Sequence, residues 1–347
     1  MNRGFENLTV CILTRNHPEN LIRQINYYSK HNIQLIILDA SDRPFIQPIH
    51  SMVEYHHVAD WRYHKRLIFL RECIKTQYMV LQADDDFHGT RGLLKNLNFL
   101  SENPSYTCSQ GTYIRVASHE PFIWWPDYKF QSRLKIEYDE VTLRIKEFAL
   151  SDMHFIYSVT ATETFRKVTL CLEGIESGVL TMNELAFNFC LGIFGKYRAL
   201  PGFYSARDKS DQPISYGFID WEDSNSSGEF LQFKRNLEMI YRRYGGLSNT
   251  DSQNLIATIL DTRRERDISR REKEHNSKNI PHMASLFNND IALKIFALRG
   301  KSPISLAVFR VSSWKYVIML IRHKSLIPFL LDFMEIRGVI RRTNLSD

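Results

Sequence analysis

Through the first ninety residues of this 347-residue chain, apolar, β-branched runs alternate with helix-periodic stretches about every 25 to 30 residues. Leu8 to Thr14 is apolar almost throughout, as a strand covered on both faces of a parallel sheet must be. Asn16 to Pro18 break it. Pro18 suits the first turn of a helix, in which Leu21, Ile22, Ile25 and Tyr28 then recur with helical spacing. Ile33 to Leu38 predicts a second strand, Met52 to His56 a weaker third, Trp61 to Lys75 a helix, and Tyr78 to Ala83 a fourth strand. This alternation predicts an α/β fold, doubly wound and Rossmann-like, with a mostly parallel sheet. Such sheets bind ligands at the carboxyl ends of their strands, where strand order reverses. Thr14-Arg15, Asp39 and Asp84-Asp85-Asp86 all fall at predicted strand exits.

Further along, Gly92 to Leu100 predicts a helix, and Thr107 to Val116 a strand that Gly111 interrupts. Asp139 to Phe148, Thr164 to Gly174 and Met182 to Ile193 predict helices, and Tyr197 to Arg207 another strand. Trp124 and Trp125 sit in a predicted loop; adjacent residues on a strand would face opposite ways, so at most one would reach a cleft. Composition changes after about residue 215, beyond which Glu229 to Tyr244 and Leu255 to Lys278 are helical and the remainder is basic and amphipathic. Two regions are expected: an α/β domain over 1–215 and a helical C-terminal extension over 216–347.

An apolar fraction of 44% with 24% charged residues is that of a globular protein with an ample core. The five cysteines are widely spaced, odd in number and without a CxxC pair, which predicts reduced thiols and a cytoplasmic setting. No signal peptide is read at the N-terminus, and no apolar run approaches the roughly 20 residues a spanning helix needs. The net charge of +6 is uneven, with basic residues from Arg310 to Arg342 outnumbering the acids around them. Apolar segments near Trp314 and Phe329, interrupted by Lys, Arg and Pro, suit either the anionic inner face of the cell membrane or packing on the chain or a second subunit. Nucleic acid is not expected as a partner: the positive charge is confined to the tail, and strand-end carboxylates repel phosphate.

Three stacked carboxylates at a strand exit repel one another, so a positive group should face them. A divalent cation carrying a diphosphate is the most economical candidate. Mn²⁺ and Mg²⁺ prefer hard oxygen ligands, and Mg²⁺ usually takes only one or two carboxylates, the rest being water and phosphate. A solvated acidic turn is the alternative. Arg207, at the end of a strand-like segment before a polar loop, is a candidate phosphate clamp, and Lys65-Arg66 lie on the helix before the aspartates.

Taken together, Thr9-Val10-Cys11-Ile12-Leu13-Thr14-Arg15-Asn16, Leu38-Asp39-Ala40-Ser41-Asp42 and Ala83-Asp84-Asp85-Asp86-Phe87 resemble the glycosyltransferase A-type superfamily, specifically its bacterial family-two-like members with a DXD motif. The likeness is best over the first ninety residues and continues faintly to about residue 210. It implies that Thr14 and Arg15 line a nucleotide pocket and that Asp39 contacts base or ribose. It also implies that Asp86 holds the metal with Asp84 assisting, while Arg15 or Lys65 supports the phosphates. A histidine often completes the metal shell in this family, which implies His154 here, with Asp208, Asp211 or water as alternatives.

An inverting transferase also needs a base to deprotonate the acceptor hydroxyl. In similar enzymes this is an acid at the start of a helix beyond the metal motif, which implies Glu184, with Asp152 second. Thr181-Met182-Asn183-Glu184 also reads as a capping box. The expectation is therefore a Mn²⁺- or Mg²⁺-dependent, inverting transferase that moves sugar from a nucleotide donor, UDP by default. The acceptor would be a glycan or lipid-linked glycan in bacterial surface polysaccharide assembly. The alternatives are a Mg²⁺-dependent nucleotidyltransferase, which normally brings a glycine-rich loop absent from Thr14 to Pro18, and a non-enzymatic basic binding protein.

Overall fold

The computed structural model describes residues 4–47, 50–117, 123–126, 133–151, 153–175, 180–208 and 228–278, together with 332, 335, 336 and 339. Their strands are β1 (Leu8–Thr14), β2 (Gln34–Asp39), β3 (Val53–His57), β4 (Tyr78–Ala83), β5 (Asp86–His88), β6 (Tyr106–Ala117), β7 (Ile123–Pro126), β8 (Lys135–Ile136), β9 (Val159–Ala161) and β10 (Lys196–Asp208). They form one mixed sheet in the order β3-β2-β1-β4-β9-β6-β10-β5, with β7 on β6 and β8 on β10. β3, β2, β1 and β4 are mutually parallel. Short β9 pairs antiparallel with both β4 and β6, so β6 and its parallel neighbour β10 run in the same sense as the first four. The sheet is mostly parallel and the α/β expectation holds.

Strand alternation sorts side chains onto two faces. Leu8, Val10 and Ile12 of β1, Leu35 and Ile37 of β2, and Tyr78 and Val80 of β4 join one buried cluster. Cys11, Ile36, Leu38, Met79 and Leu81, one residue out of step, join the other. Each fully buried aliphatic side chain stabilises the fold by about 1.5–3 kcal/mol relative to exposure, so a one-residue slip of any strand is excluded.

Two helices cover the first face: α1 (Pro18–Lys30) through Leu21, Ile25 and Tyr28, and α3 (Thr90–Glu102) through Leu93, Leu97 and Leu100. The second face carries α2 (Tyr63–Cys73), α4 (Val141–Leu150), α5 (Thr162–Leu172) and α6 (Leu180–Phe194). To the same cluster α7 (Gly228–Tyr244) adds Phe230, Phe233 and Leu237, and α8 (Asn249–Lys278) adds Ile256 and Ile259. The expected boundary near residue 215 therefore does not separate two cores; the first helices of the C-terminal region complete the layer over the sheet.

Three local expectations are corrected. Gly111 does not interrupt its strand: β6 runs through it, because a Cβ there would lie 2.7 Å from Tyr204 Cβ and 2.9 Å from the Gly202 carbonyl of bulged β10. The predicted capping box fails because α6 begins at Leu180, which puts Thr181 inside the helix and Glu184 beyond its first turn. Trp124 and Trp125 lie on β7 rather than in a loop.

Part of the C-terminal tail packs on the sheet domain. Gly89 precedes α3 and has no side chain to cap it, and Asp332 does so instead, its Oδ2 accepting the Arg91 backbone N–H at 2.7 Å. Ile336 is 1% exposed within the first-face core, and Glu335 pairs with His31 at 3.2 Å and with Lys30. This favours packing over the membrane-surface reading for these residues; the apolar segments around Trp314 and Phe329 lie outside the described residues. Among the described residues no helix is long and apolar enough to cross a membrane.

Where α6 crosses α4, Gly192 lets the backbones touch: an added Cβ would lie 2.7 Å from Ile145 Cα and 2.9 Å from its nitrogen. Neither atom can rotate away. Gly192→Ala is expected to cost about 1–3 kcal/mol, read as a lowered urea midpoint at unchanged slope.

Candidate active site

Strand order reverses between β1 and β4, with α1 on one face and α2 on the other. Leu13 pairs with Ala83, so the next residues, Thr14 and Asp84, meet at the strand ends. Thr14 Oγ1 donates to Asp84 Oδ2 at 2.6 Å, and His17 Nδ1 lies 3.0 Å from the same oxygen. That hydrogen bond raises the His17 imidazole above its ordinary value; partial burial opposes it, and the charges of Asp84 and Asp85 reinforce it.

Gln24 of α1 fixes the turn that carries the aspartates. Its Nε2 donates to the Asp84 carbonyl at 3.1 Å and also to the Asp86 carbonyl. Asp86 opens β5 and sits opposite Arg207 in the antiparallel pairing with β10. Arg207 Nε is 3.3 Å from Asp86 Oδ2, both side chains are largely buried, and the guanidinium lies over the rings of Tyr113 and Tyr157 at 5.5 and 5.6 Å. The Asp86 carboxylate thus already faces a fixed cation.

Asp39 ends β2 in register with Thr14 and is 2% exposed. Its Oδ1 accepts the Ser41 backbone N–H at 2.9 Å and also the Ser41 hydroxyl, while Tyr55 of β3 donates to Oδ2 at 2.8 Å. Asn16, with φ of 59°, turns the chain from β1 into α1 and donates its backbone N–H to Ser41 Oγ at 2.7 Å. The two strand-end loops enclose a cavity of about 360 Å³ lined by Thr14, His17, Asp39, Asp42, Arg43 and Phe45 among others. Its mixture of carboxylates, an aromatic ring and backbone turns suits a nucleoside.

Arg15 is exposed on the turn. Lys65 is exposed, with its ammonium 4.2 Å from the centre of the Trp61 ring. Its neighbour reaches the end of β1. Arg66 Nη1 donates to the Thr14 carbonyl at 3.1 Å, and burial pulls its guanidinium below the usual value.

A second acidic position lies on α6. Glu184 Oε2 is 3.3 Å from His154 Nδ1, with the carboxylate side chain 11% exposed and the imidazole 37%. The His154 ring lies 6.3 Å from Tyr157, the residue beneath Arg207. An unbroken run of side chains therefore connects Asp86, Arg207, Tyr157, His154 and Glu184. Among the described residues, Asp84, Asp86 and His154 do not all bring their ligand atoms within 4.8 Å of one another, and His154 faces Glu184. Asp152 and Asp211 lie outside the described residues, as does the side chain of Asp208.

Sequence reading missed His17 and Gln24 as site residues. His17 carried a signal, a histidine one residue before a helix-starting proline at a strand exit. Gln24 carried none, since its role depends on two backbone carbonyls about sixty residues away.

His88, two residues past Asp86, is fully buried, and burial pushes its imidazole down to about 3, with the Arg207 charge adding to the effect. It stays neutral in the fold while the unfolded chain takes up a proton below the ordinary value of 6.5. The unfolded state therefore binds more protons between about 6.5 and about 3, and stability falls as pH falls through that window. From pH 7 to 4.5 the loss is expected to be about 2–3 kcal/mol. Urea midpoints measured across that range should flatten in His88→Gln.

No protein-family model matches the chain, and no curated protein matches it. Among solved structures it is similar to crystal structures of S. aureus TarS. TarS 1-349 in complex with UDP-GlcNAc is 13% identical, with a TM-score of 0.48 over 73% of this chain and 71% of that one. TarS 1-349 in complex with UDP is 10% identical, with a TM-score of 0.47 over 73% and 70%. The longer TarS structure gives 11% and 0.46 over 73% of this chain and 43% of that one.

Proposed function

We propose that the chain is a nucleotide-sugar-dependent glycosyltransferase of the A-type, inverting, and dependent on Mn²⁺ or Mg²⁺. The observation that carries this reading is the meeting of Thr14, Asp39 and Asp84 at three adjacent strand ends, beside a cavity of nucleoside size and next to the buried Asp86–Arg207 pair. The nucleoside of a donor, UDP by default, occupies that cavity with Asp39 toward base or ribose. Arg66 and Arg207 sit on the path of the diphosphate.

Asp84 and Asp86 fit a hard divalent cation: both are buried, their backbone carbonyls are pinned by Gln24, and Thr14 and His17 both bond the same Asp84 oxygen. When bound, the cation would supply positive charge against the departing diphosphate. Arg207, already fixed beside Asp86, supplies part of that charge from the chain itself.

The acceptor hydroxyl attacks the anomeric carbon from the side opposite the diphosphate. A carbon–oxygen bond to the acceptor forms, the bond to the donor phosphate breaks, and the hydroxyl proton passes to Glu184. His154 orients that carboxylate, a role that replaces its expected place in the metal shell. The acceptor class is a glycan or lipid-linked glycan of a bacterial surface polysaccharide.

Thermal denaturation with UDP and UDP-sugars is the direct test. Melting temperature should rise with the nucleotide only when Mn²⁺ or Mg²⁺ is present, and Asp39→Ala should remove the rise. Stabilisation by nucleoside triphosphates alone, with pyrophosphate release, would support the nucleotidyltransferase alternative instead.

A further inference from the structure

A second group of ligating side chains lies at the edge of the sheet, on the face that α2 covers. Ile36 pairs with Glu54 and Leu38 with His56, so these two residues of β3 project to the same side as the buried Ile36 and Leu38. Over that side α2 packs Leu67 and Leu70 and ends at Cys73. The ligand atoms of Glu54, His56 and Cys73 all lie within 4.8 Å of one another.

His56 Nε2 is 2.7 Å from Glu54 Oε1, and its ring stands edge-on to Phe69 at 5.1 Å, which fixes its orientation. The corner is rich in negative charge. Burial and then the Glu54 carboxylate push the Cys73 thiol up, with Lys75 opposing. Cys73 and Glu54 in turn add to the effect of burial on Cys11, fully enclosed on β1.

One sulfur, one imidazole nitrogen and one carboxylate oxygen form the mixed donor set that Zn²⁺ accepts, whereas Mg²⁺ and Mn²⁺ favour all-oxygen shells. We propose that Glu54, His56 and Cys73 bind Zn²⁺, with water in the fourth position. Tetrahedral bonds of about 2.0–2.3 Å place ligands roughly 3.3–3.8 Å apart, so separations within the 4.8 Å limit close by no more than about 1.5 Å, while the 2.7 Å contact between His56 and Glu54 opens to admit the ion. The half-exposed Glu54 side chain can make that move by changing rotamer. On binding, the Cys73 thiol proton leaves to solvent as the sulfur–zinc bond forms. The ion ties edge strand β3 to the end of α2. β3 also carries Tyr55, the hydrogen-bond donor to Asp39, so the same tie steadies one wall of the nucleotide cavity.

The test is a Co²⁺ titration of the full chain after chelator treatment. The expected result is thiolate-to-cobalt charge-transfer absorption with tetrahedral visible bands, saturating at one equivalent and bleached by Zn²⁺. Cys73→Ser should remove the charge-transfer band and weaken Zn²⁺ binding more than about a hundredfold, the upper range for losing only a supporting group. His56→Gln, a change at a partly exposed ring, should weaken it comparably and serves as the second variant if Cys73→Ser does not fold. The double variant Asp84→Asn with Asp86→Asn should keep the band, separating this site from the strand-end carboxylates. Absence of thiolate absorption at one equivalent would overturn the proposal, and so would a band that persists in folded Cys73→Ser.

Discussion

Asp86→Ala should reduce donor turnover by about 10²–10³ or more, the range seen when one fixed stabiliser of developing charge is lost. The measurement is UDP release from a panel of UDP-sugars with Mn²⁺ present. Alanine also strands the Arg207 guanidinium, whose side chain is only 16% exposed. Breaking a buried pair in this way costs about 3–5 kcal/mol, so part of the alanine effect would be lost stability. Asp86→Asn separates the two. It keeps an oxygen for Arg207 and the backbone carbonyl for Gln24 while removing the charge, so the expected outcome is a smaller fall in urea midpoint than in the alanine variant, with turnover still lost. Unchanged turnover in the asparagine variant would remove Asp86 from the site.

Glu184→Gln should lower kcat by about 10²–10⁴, the usual worth of a general base, with little change in KM for the donor. Glutamine preserves the shape beside His154 but accepts no proton. The distinguishing measurement is the pH profile of kcat, whose shape should differ between the native protein and the variant. A purely structural role, as an ion-pair partner for His154, would lower stability and leave the profile's shape unchanged.

What could be read from sequence follows from the range of the interactions involved. β1, β2 and β4 were legible because each is a buried parallel strand of six or seven residues with almost no polar interruption. Helices α1 and α3 were legible from apolar residues three and four apart. Short strands were not: β5 and β9 have three residues each and exist because longer neighbours pair with them. Because β5 was invisible, so was the pairing that puts Asp86 against Arg207, 121 positions later. Lys65 and Arg66 are adjacent on α2, and which of them reaches the strand ends depends on the helix's rotation against the sheet, a tertiary fact that local spacing does not encode. Glu184 was singled out for a place at the helix start, whereas it lies beyond the first turn of α6. His154 was singled out as a polar residue in an apolar stretch, but its pairing with Glu184, thirty residues on, is a tertiary contact that local spacing does not encode.

The carboxylate that Asp332 lends to α3 has a practical corollary. A recombinant fragment trimmed after residue 278 would keep every strand of the sheet yet lose the group that closes the start of that helix, along with the Ile336 side chain that plugs the core beneath it. Only Gly89 separates α3 from β5, the strand that Asp86 opens. Slack introduced by trimming would be transmitted straight to the turn that carries Asp84 and Asp86, so the distal tail works as a keystone for a segment nearly 250 positions upstream.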